Sequence, residues 1–185
     1  IAHALDEECE IPVPRIDIFN QEPCFYRDRL EKGREYYVYS CCFPEEPEWL
    51  KKFIDAPQVY SFLMYIACFS AKASGFLHWG FNHWGKGIYT TDPEARFKGD
   101  GFIVYPDREK PAFILSNRAL ATIEGCEVRE LLQELSTRPG CASMAERMAK
   151  RIAGSFTDFE TDPEKITACI DRLLCLLDTA KPQAI

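Results

Sequence analysis

Ser74-Gly75-Phe76-Leu77-His78-Trp79-Gly80-Phe81-Asn82-His83-Trp84-Gly85 is the stretch on which the reading of this chain turns. Its first part, behind Gly75, is a short apolar run of the kind that forms a strand buried on both faces. Within a few residues the character changes. His78, Trp79, Asn82, His83 and Trp84 put indoles and polar side chains where the strand runs out. Bulky aromatics beside hydrogen-bonding groups, at the C-terminal end of a buried strand, suit the wall of a pocket for a polar ligand. An aromatic core strand followed by a turn would carry the same residues, so the neighbouring segments have to decide.

Upstream, Glu35-Tyr36-Tyr37-Val38-Tyr39-Ser40-Cys41-Cys42 is rich in strand formers and stops at Pro44, which predicts another strand. Between the two lies a mostly apolar segment, 58–72, that reads as a helix buried on more than one side. Arg15-Ile16-Asp17-Ile18-Phe19 is a further strand-like run, residues 1–5 read as the end of another strand, and 24–31 is a short helix closed by Gly33. Downstream, 85–100 is a polar loop and 101–106 a brief strand or extended return. Helices are predicted at 117–135, 143–152 and 163–179, the last with Asp162 as N-cap and Pro163 in its first turn. Strands that alternate with helices imply a parallel sheet, although there are too few here to close a barrel. The expectation is that 15–19, 36–41 and 75–79 lie parallel in one sheet, with 58–72 as the crossover between the last two.

The composition narrows the functional classes. A chain of 185 residues, 46% hydrophobic and 28% charged, suits one globular domain. A net charge of −7 and no clustered basic face argue against nucleic acid as a partner. No apolar run approaches the roughly 18 uncharged residues of a membrane helix, so no membrane partner is expected. Nine cysteines, an odd number with no Cys-x-x-Cys pair, argue against a structural zinc site and for buried free thiols. Free thiols favour a reducing, cytoplasmic compartment. His78 and His83 have no third ligand nearby in sequence, so neither a metal nor a cofactor is implied. The chain opens on Ile1-Ala2-His3-Ala4-Leu5, which reads as the middle of an element, and a longer protein is expected.

Four phrases, in this order and spacing, resemble the C-terminal half of the catalytic barrel of glycoside hydrolase family 123. They are Pro14-Arg15-Ile16-Asp17-Ile18-Phe19, Tyr37-Val38-Tyr39-Ser40-Cys41-Cys42, Gly75 to Trp84, and Gly99-Asp100-Gly101-Phe102-Ile103-Val104-Tyr105-Pro106. The resemblance implies an α/β fold, a partial (β/α)8 TIM barrel over residues 1–136 with parallel strands and outer helices, followed by a C-terminal helical extension over 137–185. It implies an N-acetylhexosaminide as substrate, β-N-acetylgalactosaminidase chemistry, and the remaining N-terminal half of the barrel as a partner. In that family the sugar's own acetamido carbonyl attacks the anomeric carbon, assisted by an adjacent Asp–Glu pair, an exception to the usual two-carboxylate arrangement. Beyond Pro111 the family pattern is kept at Ser116, Arg118, Gly125 and Glu127. Leu120, Ile123, Glu124 and Val128 stand where Glu, Arg, Asp and Asp are usual. This predicts a buried polar network replaced by apolar packing.

Trp79 and Trp84 are the first candidates for binding, since an indole covers the apolar C–H face of a sugar while its N–H can still bond. Asn82 both donates and accepts, which suits a hydroxyl or an acetamide. Tyr39 and Asp17 lie near the ends of their expected strands, where barrel enzymes place functional groups. No catalytic residue is assigned. Asp6-Glu7 has the right residue types but stands too close ahead of the Asp17 phrase, so the catalytic pair is expected upstream. The triplet Asp6-Glu7-Glu8 reads as a solvated strand exit, and Asp100 as a structural turn residue that bonds its own backbone. Two other functional readings stay open: a carbohydrate-binding or scaffold relative without chemistry, and a self-contained small α/β domain that dimerises.

Overall fold

Two parallel strands and the helix between them position everything that follows. The computed structural model describes residues 6–84 and 99–179. Strand β1 (Tyr37–Ser40) pairs in parallel with β2 (Gly75–His78), in register from Tyr37↔Gly75 to Ser40↔His78. Helix α3 (Val59–Ala71) makes the crossover and ends where Lys72 turns left-handed at φ 61°. It buries Phe62, Leu63, Met64, Ile66, Ala67 and Cys68, too wide a stripe for a one-sided surface helix. One side meets the sheet, where the Tyr65 and Phe76 rings lie 5.4 Å apart. Others meet α4 (Asn117–Thr137) and α5 (Ala142–Ala153). The parallel pairing and the crossover match the sequence reading.

The expected strand at 15–19 is instead a helix. Helix α1 (Ile16–Gln21) opens with the Phe19 N–H donating to the Arg15 carbonyl at 2.8 Å. Ile16 and Phe19, three apart, are buried, whereas Ile18 is 39% exposed. The helical period therefore decides, and the apparent alternation of Ile16 and Ile18 misleads. Only Arg15 keeps strand character, through a single parallel bridge to Tyr39. Helix α2 (Pro23–Glu31) follows as expected. The brief strand near 101–106 is β3 (Val104–Pro106), paired antiparallel with β4 (Phe113–Leu115), which the sequence reading did not anticipate. The fold is thus mixed α/β. Among the described residues it holds one parallel and one antiparallel pair rather than a continuous half barrel. The expected strand end at 1–5 and nearly all of the loop at 85–100 lie outside the described residues.

One core joins the sheet to the C-terminal helices. Val38 belongs to a single buried cluster with Val128 and Leu132 of α4, Met148 and Ile152 of α5, and Ile166 and Leu173 of α6 (Pro163–Thr179). Asp162 caps α6 as expected, its Oδ1 accepting from the Glu164 N–H at 3.0 Å. The altered segment in α4 behaves differently from its expectation. Val128 is buried, but Leu120 and Ile123 are 46% and 45% exposed. Of these three apolar residues only Val128 packs into the core. All nine cysteines are free thiols. No helix among the described residues is long and apolar enough to cross a membrane.

Candidate functional site

Strand alternation sorts the side chains of β1 and β2 onto two faces. Val38, Ser40, Phe76 and His78 share the face that packs beneath α3, while Tyr37, Tyr39 and Leu77 share the other. That second face is open among the described residues: Leu77 is 45% exposed, and Trp79, which continues its phase, 39%. Tyr39 pairs with Leu77, and Trp79 follows two residues beyond it, so all three belong to one face near the C-terminal ends of two parallel strands. Asp17 lies beyond them in the first turn of α1, not at a strand end. Its carboxylate takes two bonds from the Arg15 guanidinium, at 2.5 and 2.6 Å. Those bonds, opposed by partial burial, hold Asp17 below the ordinary carboxylate range. It is a committed ion-pair partner.

Behind Trp79 stands a buried polar layer. The indole N–H donates to the Asp100 carboxylate, and the ring lies 5.1 Å from that of His83. Asp100 is wholly buried, and burial pushes its carboxyl up against the pull of His78. The His78 ring is held between two carbonyl oxygens, Nδ1 3.2 Å from that of Ser40 and Nε2 2.9 Å from that of Asp100. Burial lowers its pKa while the Asp100 carboxylate opposes the shift. Arg118 reaches in from α4 and donates to the carbonyls of Lys52, Gly99 at 3.0 Å and Phe102 at 2.6 Å. Sequence reasoning took Asp100 as a turn residue satisfying its own backbone. Its carboxylate serves a side chain instead. The available signal was the kept pair Ser116 and Arg118, whose side chains both turn back onto this segment.

The other candidates occupy a different neighbourhood. The Trp84 indole donates to the Val104 carbonyl at 2.7 Å and packs with Ile103, Val104 and Ala119 in a small second cluster. Asn82 exposes its side chain, while its backbone bridges Phe102. The fold thus puts Tyr39 and Trp79 on one face of the parallel pair, leaves Asp17 with Arg15, and sets Asn82 and Trp84 beside β3. Among the described residues no group of three or more His, Cys, Asp and Glu side chains is placed to hold a metal ion. Asp6, expected in solvent, is tied to Arg29 and to Arg34 at 2.8 Å. Desolvation works against its charge, but the two guanidiniums outweigh it and hold the carboxyl low. A carboxylate held ionised is a poor general acid. At the opposite end of β2, a cavity of about 310 Å³ is lined by Phe69, Lys72, Arg129, Gln133 and Glu146 among others.

Comparison with known proteins places this geometry. Residues 5–135 match the glycoside hydrolase 123 catalytic domain. No curated protein matches the chain. Among solved structures, the fold is similar to that of a family 123 glycoside hydrolase from Clostridium perfringens, studied for glycolipid glycan hydrolysis. The TM-score is 0.62 at 14% identity, over 96% of this chain and 33% of that one. At that identity the likeness is one of fold, and the chain spans about a third of that protein's length. With the family match covering well over half of its residues, the chain belongs to the glycoside hydrolase 123 catalytic-domain family.

Proposed function

We propose that this chain is the C-terminal portion of a (β/α)8 catalytic barrel that hydrolyses N-acetylhexosaminides. In this reading residues 1–136 contribute barrel elements, 137–185 a helical extension, and the open face of β1 and β2 turns toward the remaining strands. The observation that carries it is the open face itself, with Tyr39, Leu77 and Trp79 at the C-terminal ends of parallel strands, where barrel enzymes build their sites. A half-exposed indole there offers an apolar platform for a sugar ring. Trp79 is the leading sugar contact and Tyr39 a second one on the same face. Asn82 and Asp17 serve at the margin, and Trp84 supports the wall from behind. The acid and base come from an Asp–Glu pair elsewhere in the barrel, since Asp6 is already committed to two arginines.

The test compares Trp79→Ala with Trp84→Ala, measuring N-acetylgalactosamine affinity and melting temperature together. Trp79→Ala is expected to weaken binding by about tenfold or more, an indole contact being worth roughly 1–3 kcal/mol, and also to lower the melting temperature, because buried Asp100 loses its donor. Trp84→Ala is expected to lower the melting temperature. Unaltered affinity in Trp79→Ala would refute the sugar wall.

A further inference from the structure

We infer that Asp100 is a positioning residue, fixing the indole plane of Trp79 so that its open face meets the sugar at a set angle. This rests on the proposed role of Trp79 and adds to it a means of control. For a tryptophan 39% exposed at a strand end, each side-chain rotamer would tilt the exposed ring face differently. Donation from its N–H to a buried carboxylate selects one orientation with a charge-assisted bond, stronger than one to a neutral acceptor. The same bond draws electron density into the ring and makes its face a better partner for sugar C–H groups.

The acceptor is itself held from several sides. His78 Nε2 lies 2.9 Å from the Asp100 carbonyl oxygen. The carbonyls of Gly99 and Phe102 receive the buried Arg118 guanidinium, and the Ser116 hydroxyl donates to the Ile103 carbonyl at 2.6 Å. At Gly101 a Cβ would lie 3.3 Å from the Trp79 ring and 3.0 Å from His83, so the bare backbone lets the indole lie close along the turn. Arg118 thus links α4 to the 99–102 turn, and the turn links to the indole. The arrangement also carries a penalty that a simple turn does not require. Asp100 is wholly buried, and its Oδ1 has no hydrogen-bond partner, with His78 Nε2 3.6 Å away. A turn needs only the main chain, so a buried carboxylate with one oxygen unfilled needs another reason. Holding Trp79 supplies it.

The experiment uses the ¹⁵N-labelled protein, whose three tryptophans, Trp49, Trp79 and Trp84, give separate indole N–H signals. Trp79→Phe assigns the relevant one. In the wild type the Trp79 N–H is expected to exchange slowly with solvent despite the exposed ring. In Asp100→Ala it is expected to exchange at least about tenfold faster, while the Trp84 N–H, bonded to Val104, stays protected and reports that the fold is intact. In Asp100→Asn, which keeps an acceptor and loses the charge, the signal moves upfield with partial protection. N-acetylgalactosamine affinity is expected to fall about fivefold or more in Asp100→Ala. A freely exchanging Trp79 N–H in the wild type overturns the inference. So does an Asp100→Ala variant with unchanged exchange or unchanged affinity. If Asp100→Ala does not fold, an unshifted Trp79 signal in Asp100→Asn overturns it instead. A wild type that shows no response to the sugar sinks the sugar reading, whereas equal binding by wild type and Asp100→Ala sinks only the positioning role.

Discussion

Lys52 shows how much a single buried charge can be asked to carry. It is 2% exposed, donates to Thr122 Oγ1 at 2.8 Å, and lies over the Tyr65 and Phe76 rings at 5.1 and 5.7 Å. Desolvation pulls its pKa from 10.5 to about 8, partly offset by nearby Cys126 and Asp100. The folded value lies below the unfolded one, so between about pH 8 and pH 10.5 the unfolded chain holds the extra proton. The contribution of this site to stability therefore rises with pH across that window, and its penalty is complete below about pH 8. Lys52→Met keeps the bulk and removes the charge. At pH 7 it should stabilise the protein by about 1–3 kcal/mol, and the gain should shrink toward zero by pH 10. Denaturant melts of both proteins at pH 7 and pH 10 decide it. A variant less stable than wild type by the same amount at both pH values would mean that Lys52 contributes through packing and hydrogen bonding, not through its charge.

Helix α4 owes its close approach to α3 to one residue. A Cβ at Gly125 would press into the Phe62 carbonyl and come within 3.0 Å of the Phe62 Cα. Gly→Ala inside a helix usually stabilises by about 1 kcal/mol. Here the sign reverses, because backbone cannot step aside as a flexible side chain can, and Gly125→Ala should cost about 1–3 kcal/mol, read as a lowered denaturation midpoint. A raised midpoint would show that the two helices have room to part. The elements also show what sequence can and cannot disclose. The crossover helix, both parallel strands and the three C-terminal helices were legible because each carries a long period or a run of strand formers. Residues 15–19 were not, since five residues with apolar groups at 16, 18 and 19 fit either period. Burial of Phe19 rather than Ile18 is a tertiary choice. Trp79 was legible from its place after a strand. Asp100 was not, because its partner is 21 residues away and only the folded turn joins them.

Among the described residues apolar side chains are exposed at Leu77 on the open face of the parallel pair, at Leu120 and Ile123 on α4, and along strand β4, where Phe113, Ile114 and Leu115 are 63%, 54% and 49% exposed. Exposed patches rimmed by strand edges recruit partners. In sedimentation velocity the 185-residue chain should therefore self-associate with rising concentration, and a monodisperse monomer throughout would mean that these surfaces are tolerated in solution. Self-association does not say which surface meets the sugar. Backbone and indole chemical-shift changes during titration with N-acetylgalactosamine do. The account predicts that the shifts cluster at Tyr39, Leu77 and Trp79 on the open face of the parallel pair. Shifts gathered instead at the Lys72 and Arg129 cavity, or confined to Trp84 and its neighbours in β3, would contradict it.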